Sequence, residues 1–114
     1  MHELSVTESI LEISLRHANN SNAKSITNIY LVIGQLASII DDSVQFYWDI
    51  ISKGTLADGA VLNFRRIPTT LACLDCNNQY SPGDDSLDCP KCKGHHVKIL
   101  SGEEFYMEAI DIET

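Results

Sequence analysis

The sequence predicts an α+β fold, a small three-stranded mixed β-sheet covered by two α-helices, with a cysteine-bearing module inserted before the last strand. Three observations carry this. Apolar residues recur at helical spacing in two stretches, and β-branched or alternating runs occur in three. Between the last two of those runs, from Leu71 to about Ile99, the chain turns polar and turn-rich and holds all four cysteines. Residues 1–70 and 99–114 are therefore read as one α/β domain, and residues 71–98 as an inserted domain.

In chain order, ELSVTESILEISLRHANN reads as the first helix, with Leu4, Leu11, Leu15 and Ala18 on one face and Val6, Ile10 and Ile13 as a second stripe. Both sides are expected to be partly covered. The turn-forming NNSN, Asn19 to Asn22, stops it. SITNIYLVIG reads as a strand ending at Gly34, with Ile29, Leu31 and Ile33 alternating against Tyr30 and Val32. The second helix has Asp41, Asp42 and Ser43 as N-cap candidates, and Val44, Tyr47, Trp48 and Ile51 fall at i, i+3, i+4 and i+7. This stripe reads as core, and Gly54 is placed to close the helix as a C′ residue. AVLNFRRI is the second strand, closed by Pro68, and EEFYMEAIDIE the third, with a Tyr106, Ile110 and Ile112 face.

The 114 residues suit a single small globular chain, and 44% hydrophobic content supports a core. Eight basic against sixteen acidic residues give a net charge of −8, and GEEFYMEAIDIET alone carries five acids and no base. Such a surface repels phosphate backbones, so a nucleic-acid partner is disfavoured, while a cationic partner is easily accommodated. No stretch reaches the ~18 apolar residues of a membrane span, and no secretory signal opens the chain. A cytoplasmic location is expected, where thiols stay reduced and spaced cysteine pairs bind metal more often than they form disulfides.

Cys73-Leu-Asp-Cys76 and Cys89-Pro-Lys-Cys92 are two CxxC pairs separated by twelve residues. Each pair can turn both thiolates toward one ion, and two such knuckles complete a tetrahedral four-sulfur site. All four positions are filled by protein, so the role is structural, and the module of residues 71–98 is read as a zinc ribbon held by its ion. Iron suits the same donor set. His95 and His96 follow the second knuckle directly and are candidates for a second metal site, although two solvated turn residues is the simpler reading. His17, ending the first helix, reads as a dipole-compatible C-terminal residue.

The opening Met1-His2-Glu3 gathers an amine, an imidazole, a carboxylate and two amides. The terminal amine and the His2 amide nitrogen close a five-membered ring on a metal, and that amide with the His2 Nδ1 closes a six-membered one. Glu3 can supply a fourth donor by its backbone nitrogen or carboxylate. Planar nitrogen and oxygen donors suit Ni(II) or Cu(II). The amine and imidazole, with ordinary pKa values of about 7.7–8.0 and about 6.5, must lose protons first, so affinity should fall in mild acid. Taken alone, Glu3 also reads as an acid favoured near a helix N-terminus.

Taken together, MHELSVTESILEI, GTLADGAVLNF, the paired CxxC insert and GEEFYMEAIDIE resemble the HypA/HybF family over nearly the full chain. The family supplies nickel to [NiFe]-hydrogenase. The resemblance implies a nickel metallochaperone that is not an enzyme. Nickel would be its transient cargo, bound at His2, the Met1 amine and Glu3, and structural zinc would be held by Cys73, Cys76, Cys89 and Cys92. It also implies delivery with the nickel-binding GTPase HypB to the hydrogenase large-subunit precursor, and some relatives serve urease as well. Where many relatives place a proline before the second helix, this chain has Asp41-Asp42-Ser43, expected to alter a loop only. A monomer or weak homodimer is expected, without membrane or nucleic-acid partners. Two rivals remain from the residues alone: a rubredoxin-like iron electron carrier, and a zinc-ribbon interaction module, the latter disfavoured for nucleic acid by three Lys against four Asp in residues 71–98.

Overall fold

The computed structural model describes residues 3–82 and 87–114. The elements are α1 (Glu3–Asn20), β1 (Ser25–Gly34), α2 (Asp41–Ile51), β2 (Val61–Ile67), β3 (Thr70–Cys73), β4 (Gln79–Tyr80), β5 (Val97–Ser101) and β6 (Phe105–Glu113). They form a three-stranded sheet in the order β2–β1–β6 and a second one in the order β4–β3–β5. No described helix is long and apolar enough to cross a membrane. The chain divides into two compact units, Met1–Val32 with Ser38–Arg65 and Tyr106–Thr114, and Ile33–Ala37 with Arg66–Phe105.

The first sheet is mixed. Along β1 and β6 the partners run in opposite senses, from the Lys24 N–H on the Glu113 carbonyl to the Gly34 N–H on the Glu104 carbonyl. Along β1 and β2 they climb together, from Asn63 against Ile29 to the Gln35 N–H on the Ile67 carbonyl. The central strand is the most deeply buried element. Leu31, Val32 and Ile33 are all covered, so the expected alternation disappears at its C-terminal end, as it does wherever both faces of a strand are buried.

In the first unit, α1 packs against α2. The covered line of α1 is Thr7, Ile10, Ser14 and Ala18, which crosses both expected stripes, while Leu4 is exposed. Small residues let the helix approach closely, and the two hydroxyls have partners: Thr7 Oγ1 donates to the Glu3 carbonyl one turn back, and Ser14 Oγ contacts Met107 Sδ of β6 at 3.2 Å. On α2 the expected stripe holds at Val44 and Trp48, both fully buried, with Tyr47 and Ile51 half-buried. Its cap differs from expectation. Ile40 is the N-cap, without a side-chain bond, and Asp41-Asp42-Ser43 forms the first helical turn itself, where the acids favour the dipole. The helix closes at Ser52, and Gly54, at φ +77°, lies one residue beyond the expected C′ position. On β6, Ile110 and Ile112 are half-covered as expected, but Tyr106 is exposed, and Met107 on the other face is half-covered.

The second unit carries a sheet of its own. β3 pairs antiparallel with β4 (Leu71 opposite Tyr80) and with β5 (Cys73 opposite Val97, Leu71 opposite Ile99). Gly34 meets Gly102 in this unit with almost no clearance, and a Cβ at Gly34 would lie 2.0 Å from the Gly102 carbonyl oxygen.

Candidate metal centre

The four cysteine sulfurs lie within 4.8 Å of one another. β3 delivers Cys73 at its last residue, and a turn returns the chain to β4, with Cys76 inside the turn. Cys89 and Cys92 occupy a second turn that leads into β5. The two turns are built alike. In the first, the Asn77 N–H donates to the Cys73 carbonyl (2.9 Å) and the Cys73 N–H to the Asn78 carbonyl (2.8 Å). In the second, the Lys93 N–H donates to the Cys89 carbonyl (2.8 Å) and the Cys89 N–H to the Gly94 carbonyl (3.1 Å). The residue after each pair, Asn77 at φ 61° and Lys93 at φ 62°, takes the left-handed conformation that reverses the chain.

The repeat extends to the sulfurs. The Asn78 amide hydrogen-bonds the Cys76 sulfur, and the Gly94 amide the Cys92 sulfur. In each pair the first thiol, Cys73 or Cys89, is buried and the second is more open. Across the knuckles Cys73 Sγ faces Cys92 Sγ at 3.5 Å and Cys76 Sγ faces Cys89 Sγ at 3.6 Å, with Asn78 Nδ2 reaching Cys89 Sγ at 3.7 Å. These are not disulfide separations, for which S–S is about 2.05 Å. A tetrahedron with zinc–sulfur bonds of ~2.3 Å has edges of about 3.8 Å. Those two edges fall slightly inside that and all six lie within 4.8 Å, so the cluster fits zinc.

The thiols differ in acidity. Burial pushes Cys89 up, but the amides of Cys92 and Lys91, with Asn78 and Cys76, outweigh it and bring the group down to about 6. Cys92 receives the Gly94 amide, which favours its thiolate, yet the neighbouring Cys73 and Cys76 thiols and burial push it up to about 12. The Asn78 amide likewise pulls Cys76 down and is outweighed by burial and by Cys89, so that Cys76 is raised. One thiolate is stabilised by amide dipoles, and further negative charge in the cluster calls for a cation. Tyr80 borders the site. Its hydroxyl donates to the Leu87 carbonyl, and burial together with the Cys89 and Cys73 charges raises its pKa.

Gly94 has a role that its φ does not reveal. A Cβ there would lie 2.8 Å from Asp75 Oδ2 and 3.2 Å from Cys92 Sγ, so a side chain would intrude on the sulfur. Gly94 stands out in the sequence as part of the turn sequence CPKCKG, whereas Asn77, Asn78 and Lys93 are further supports that the sequence alone does not single out. The only local sign of them is a pair of turn-compatible dipeptides, Asn77-Asn78 and Lys93-Gly94, each directly after a CxxC.

His95 and His96 stand apart from the thiols. Each is exposed and faces its own carboxylate, His95 Nδ1 at 2.6 Å from Asp88 and His96 Nδ1 at 3.4 Å from Asp75. The Asp88 contact raises the His95 pKa. Among the described residues the four cysteines are the one group of three or more Cys, His, Asp or Glu close enough to hold a metal. Met1 and His2 lie outside the described residues. Glu3 opens α1, and its Oε2 is buried with no hydrogen-bond partner among the described residues.

A model of the HypA family, described as hydrogenase/urease nickel incorporation, metallochaperone, matches residues 1–112. A hydrogenase maturation factor HypA from Dehalococcoides mccartyi is 41% identical over 113 residues, covering 99% of this chain and 95% of that protein. One from Caldanaerobacter subterraneus is 38% identical over 114 residues, covering 99% and 100%. The solution structure of the Ni metallochaperone HypA from Helicobacter pylori shares the fold at a TM-score of 0.67 and 24% identity, covering 99% of this chain and 98% of that one.

Proposed function

The chain belongs to the HypA family of hydrogenase maturation factors, which are metallochaperones and not enzymes, and from that premise we propose that it carries Ni(II) at its N-terminus and a structural zinc ion in the four-cysteine site. Nickel is the cargo. The Met1 amine, the His2 amide and His2 Nδ1 form fused chelate rings, and Glu3 supplies the remaining donor. The hydrogenase large-subunit precursor receives the metal in concert with the GTPase HypB, and urease is a second client class named in the family description. Action in the cytoplasm belongs to the same reading, as does the assignment of residues 1–70 and 99–114 to nickel and of 71–98 to zinc.

The observation that carries this reading is the contrast between two donor sets. Cys73, Cys76, Cys89 and Cys92 gather four sulfurs within 4.8 Å of one another, a donor set that suits a closed ion with no position for exchange. Zinc there would supply cross-linking of the two knuckles and no reaction step. The N-terminal set is nitrogen and oxygen, and Glu3 Oε2 is a buried acceptor still lacking a partner among the described residues. A transient cargo needs donors that a client can replace one at a time, and a small set of nitrogen and oxygen donors meets that need better than four thiolates.

Ni(II) titration of the zinc-loaded protein is the direct test, beside His2→Ala and a variant with one residue added before Met1. Tight one-to-one binding lost in both variants is expected. Binding that survives both would refute the N-terminal chelate and move the site, with His95 and His96 the next residues to replace. The purified protein is expected to be colourless, since a red colour would mean iron in the sulfur site.

A further inference from the structure

The leucines of α1 that the core covers only in part line a feature of their own. Leu4, Leu11 and Leu15, with Ile51 of α2, border a groove of about 590 Å³ that is open on its outer side, and Glu8 and Glu12 are set among them. The groove lies within the first unit. From Leu4 to Leu15 is eleven residues, or about 16 Å at 1.5 Å per residue, which is three turns of a facing helix. Leu4 is 39% exposed, and both glutamates are exposed. Among the described residues neither Glu8 nor Glu12 takes part in an ion pair.

We propose that this groove docks a basic amphipathic helix of a partner protein, with apolar side chains against Leu4, Leu11, Leu15 and Ile51 and Lys or Arg against Glu8 and Glu12. The volume and length suit a row of aliphatic knobs at i, i+4 and i+7 rather than an enclosed small molecule. Charge selects the occupant. A second copy docking by two-fold symmetry would set Glu8 and Glu12 against their own counterparts, and like charges facing one another oppose the contact. A lysine-rich helix instead gains attraction from both carboxylates and from the net charge of −8. This docking stands independently of the nickel reading.

The test uses the full-length, zinc-loaded protein without nickel and two synthetic peptides of about 18 residues, long enough to form a helix. Both carry the same leucine face, one with lysine flanks and one with glutamate flanks. Amide chemical-shift changes confined to residues 4–15 and the neighbourhood of Ile51, with the lysine peptide only, are expected. Glu8→Lys/Glu12→Lys should weaken that binding about tenfold or more. Asp42→Lys/Asp49→Lys, with the same change in net charge on α2, should weaken it less than about threefold. Equal weakening by both pairs would reduce the effect to bulk attraction and overturn the proposal. So would shifts centred elsewhere, or no binding. Concentration-dependent shifts of the groove residues without peptide would assign the groove to a second copy and overturn it as well. None of these outcomes alters what the nickel titration reads.

Discussion

Replacing Gly34 by Ala should destabilise the second unit severely, although alanine alters no charge and no metal ligand. The added Cβ would lie 2.0 Å from the Gly102 oxygen, 2.1 Å from its carbonyl carbon and 2.6 Å from the Glu103 nitrogen. All three are backbone atoms, so no rotamer change relieves the clash. Ordinary contact begins near 3.4 Å, and the two chain segments would have to part by about 1.4 Å. Two hydrogen bonds cross the same gap, the Gly34 N–H to the Glu104 carbonyl at 2.6 Å and the Leu36 N–H to the Gly102 carbonyl at 2.7 Å. A displacement of that size takes both beyond hydrogen-bonding range. Overpacking costs about 1–3 kcal/mol, and two lost bonds add about 0.5–1.5 kcal/mol each. The sum is about 2–6 kcal/mol, against a total of about 5–15 kcal/mol for an ordinary small domain.

The assay is urea unfolding of the zinc-loaded protein, followed separately in the two units. Trp48, the one tryptophan, is buried in the first unit and reports on it by fluorescence, while the amides of Leu71 and Val97 report on β3 and β5. The β3–β5 signals should lose stability more than Trp48 does. Gly54→Ala is the control: its φ is +77° but nothing lies within 4 Å of the new Cβ, so backbone strain of about 1–2 kcal/mol is its whole cost. An unchanged midpoint for Gly34→Ala, or a loss no larger than that of Gly54→Ala, would refute the close crossing of Gly34 and Gly102.

Removal of zinc by a strong chelator, or Cys89→Ser, should abolish amide protection in β3, β4 and β5 while helical circular dichroism and Trp48 fluorescence persist, because the buried residues around α1, α2 and β1 do not depend on the sulfur cluster. Asp88→Asn should return His95 toward its ordinary pKa, measured from its ring resonances. Since Asp88 favours protonated His95 in the folded protein, the contact contributes below pH ~6.5 and is lost as pH rises through the raised value, so the variant should differ from the native protein on the acid side only. Arg65→Ala removes an ion pair with Glu108 at 2.9 Å whose side chains are 54% and 46% exposed, and it should shift the urea or thermal midpoint only slightly, less still at high salt.

The elements with a strong period were legible in the sequence. α1, β1, α2, β2 and β6 lie where periodicity and turn residues place them, and the four cysteines converge as their spacing requires. What was not legible has physical reasons. The buried line of α1 runs through Thr7 and Ser14, whose hydroxyls find partners in the Glu3 carbonyl and Met107, so a pattern built on apolar residues alone points the helix slightly wrong. β3 is short and alternates Leu71 and Cys73 against Thr70 and Ala72, a pattern visible only when a metal-binding cysteine is counted as apolar. The left-handed residue of the second knuckle is Lys93 and not Gly94, and the glycine is required by lack of room beside Cys92. The contact of Gly34 with Gly102 joins residues far apart in the chain, and nothing local announces it.

The knuckles also explain why the sulfur site suits a staple and not a carrier. Four thiolates around a dication leave two excess negative charges in a place covered on the Cys73 and Cys89 side and open at Cys92. That charge is held by the amides of Lys91 and Cys92 on Cys89, of Asn78 on Cys76 and of Gly94 on Cys92. Each amide is oriented by a turn that itself depends on the cysteines being gathered, so losing one sulfur from the ion also loosens the dipoles that stabilise the others. Such a site is cooperative and resists stepwise exchange. Metal handover proceeds one ligand at a time and therefore needs donors outside this network, which is the chemical reason the proposed nickel chelate is set apart from the sulfurs.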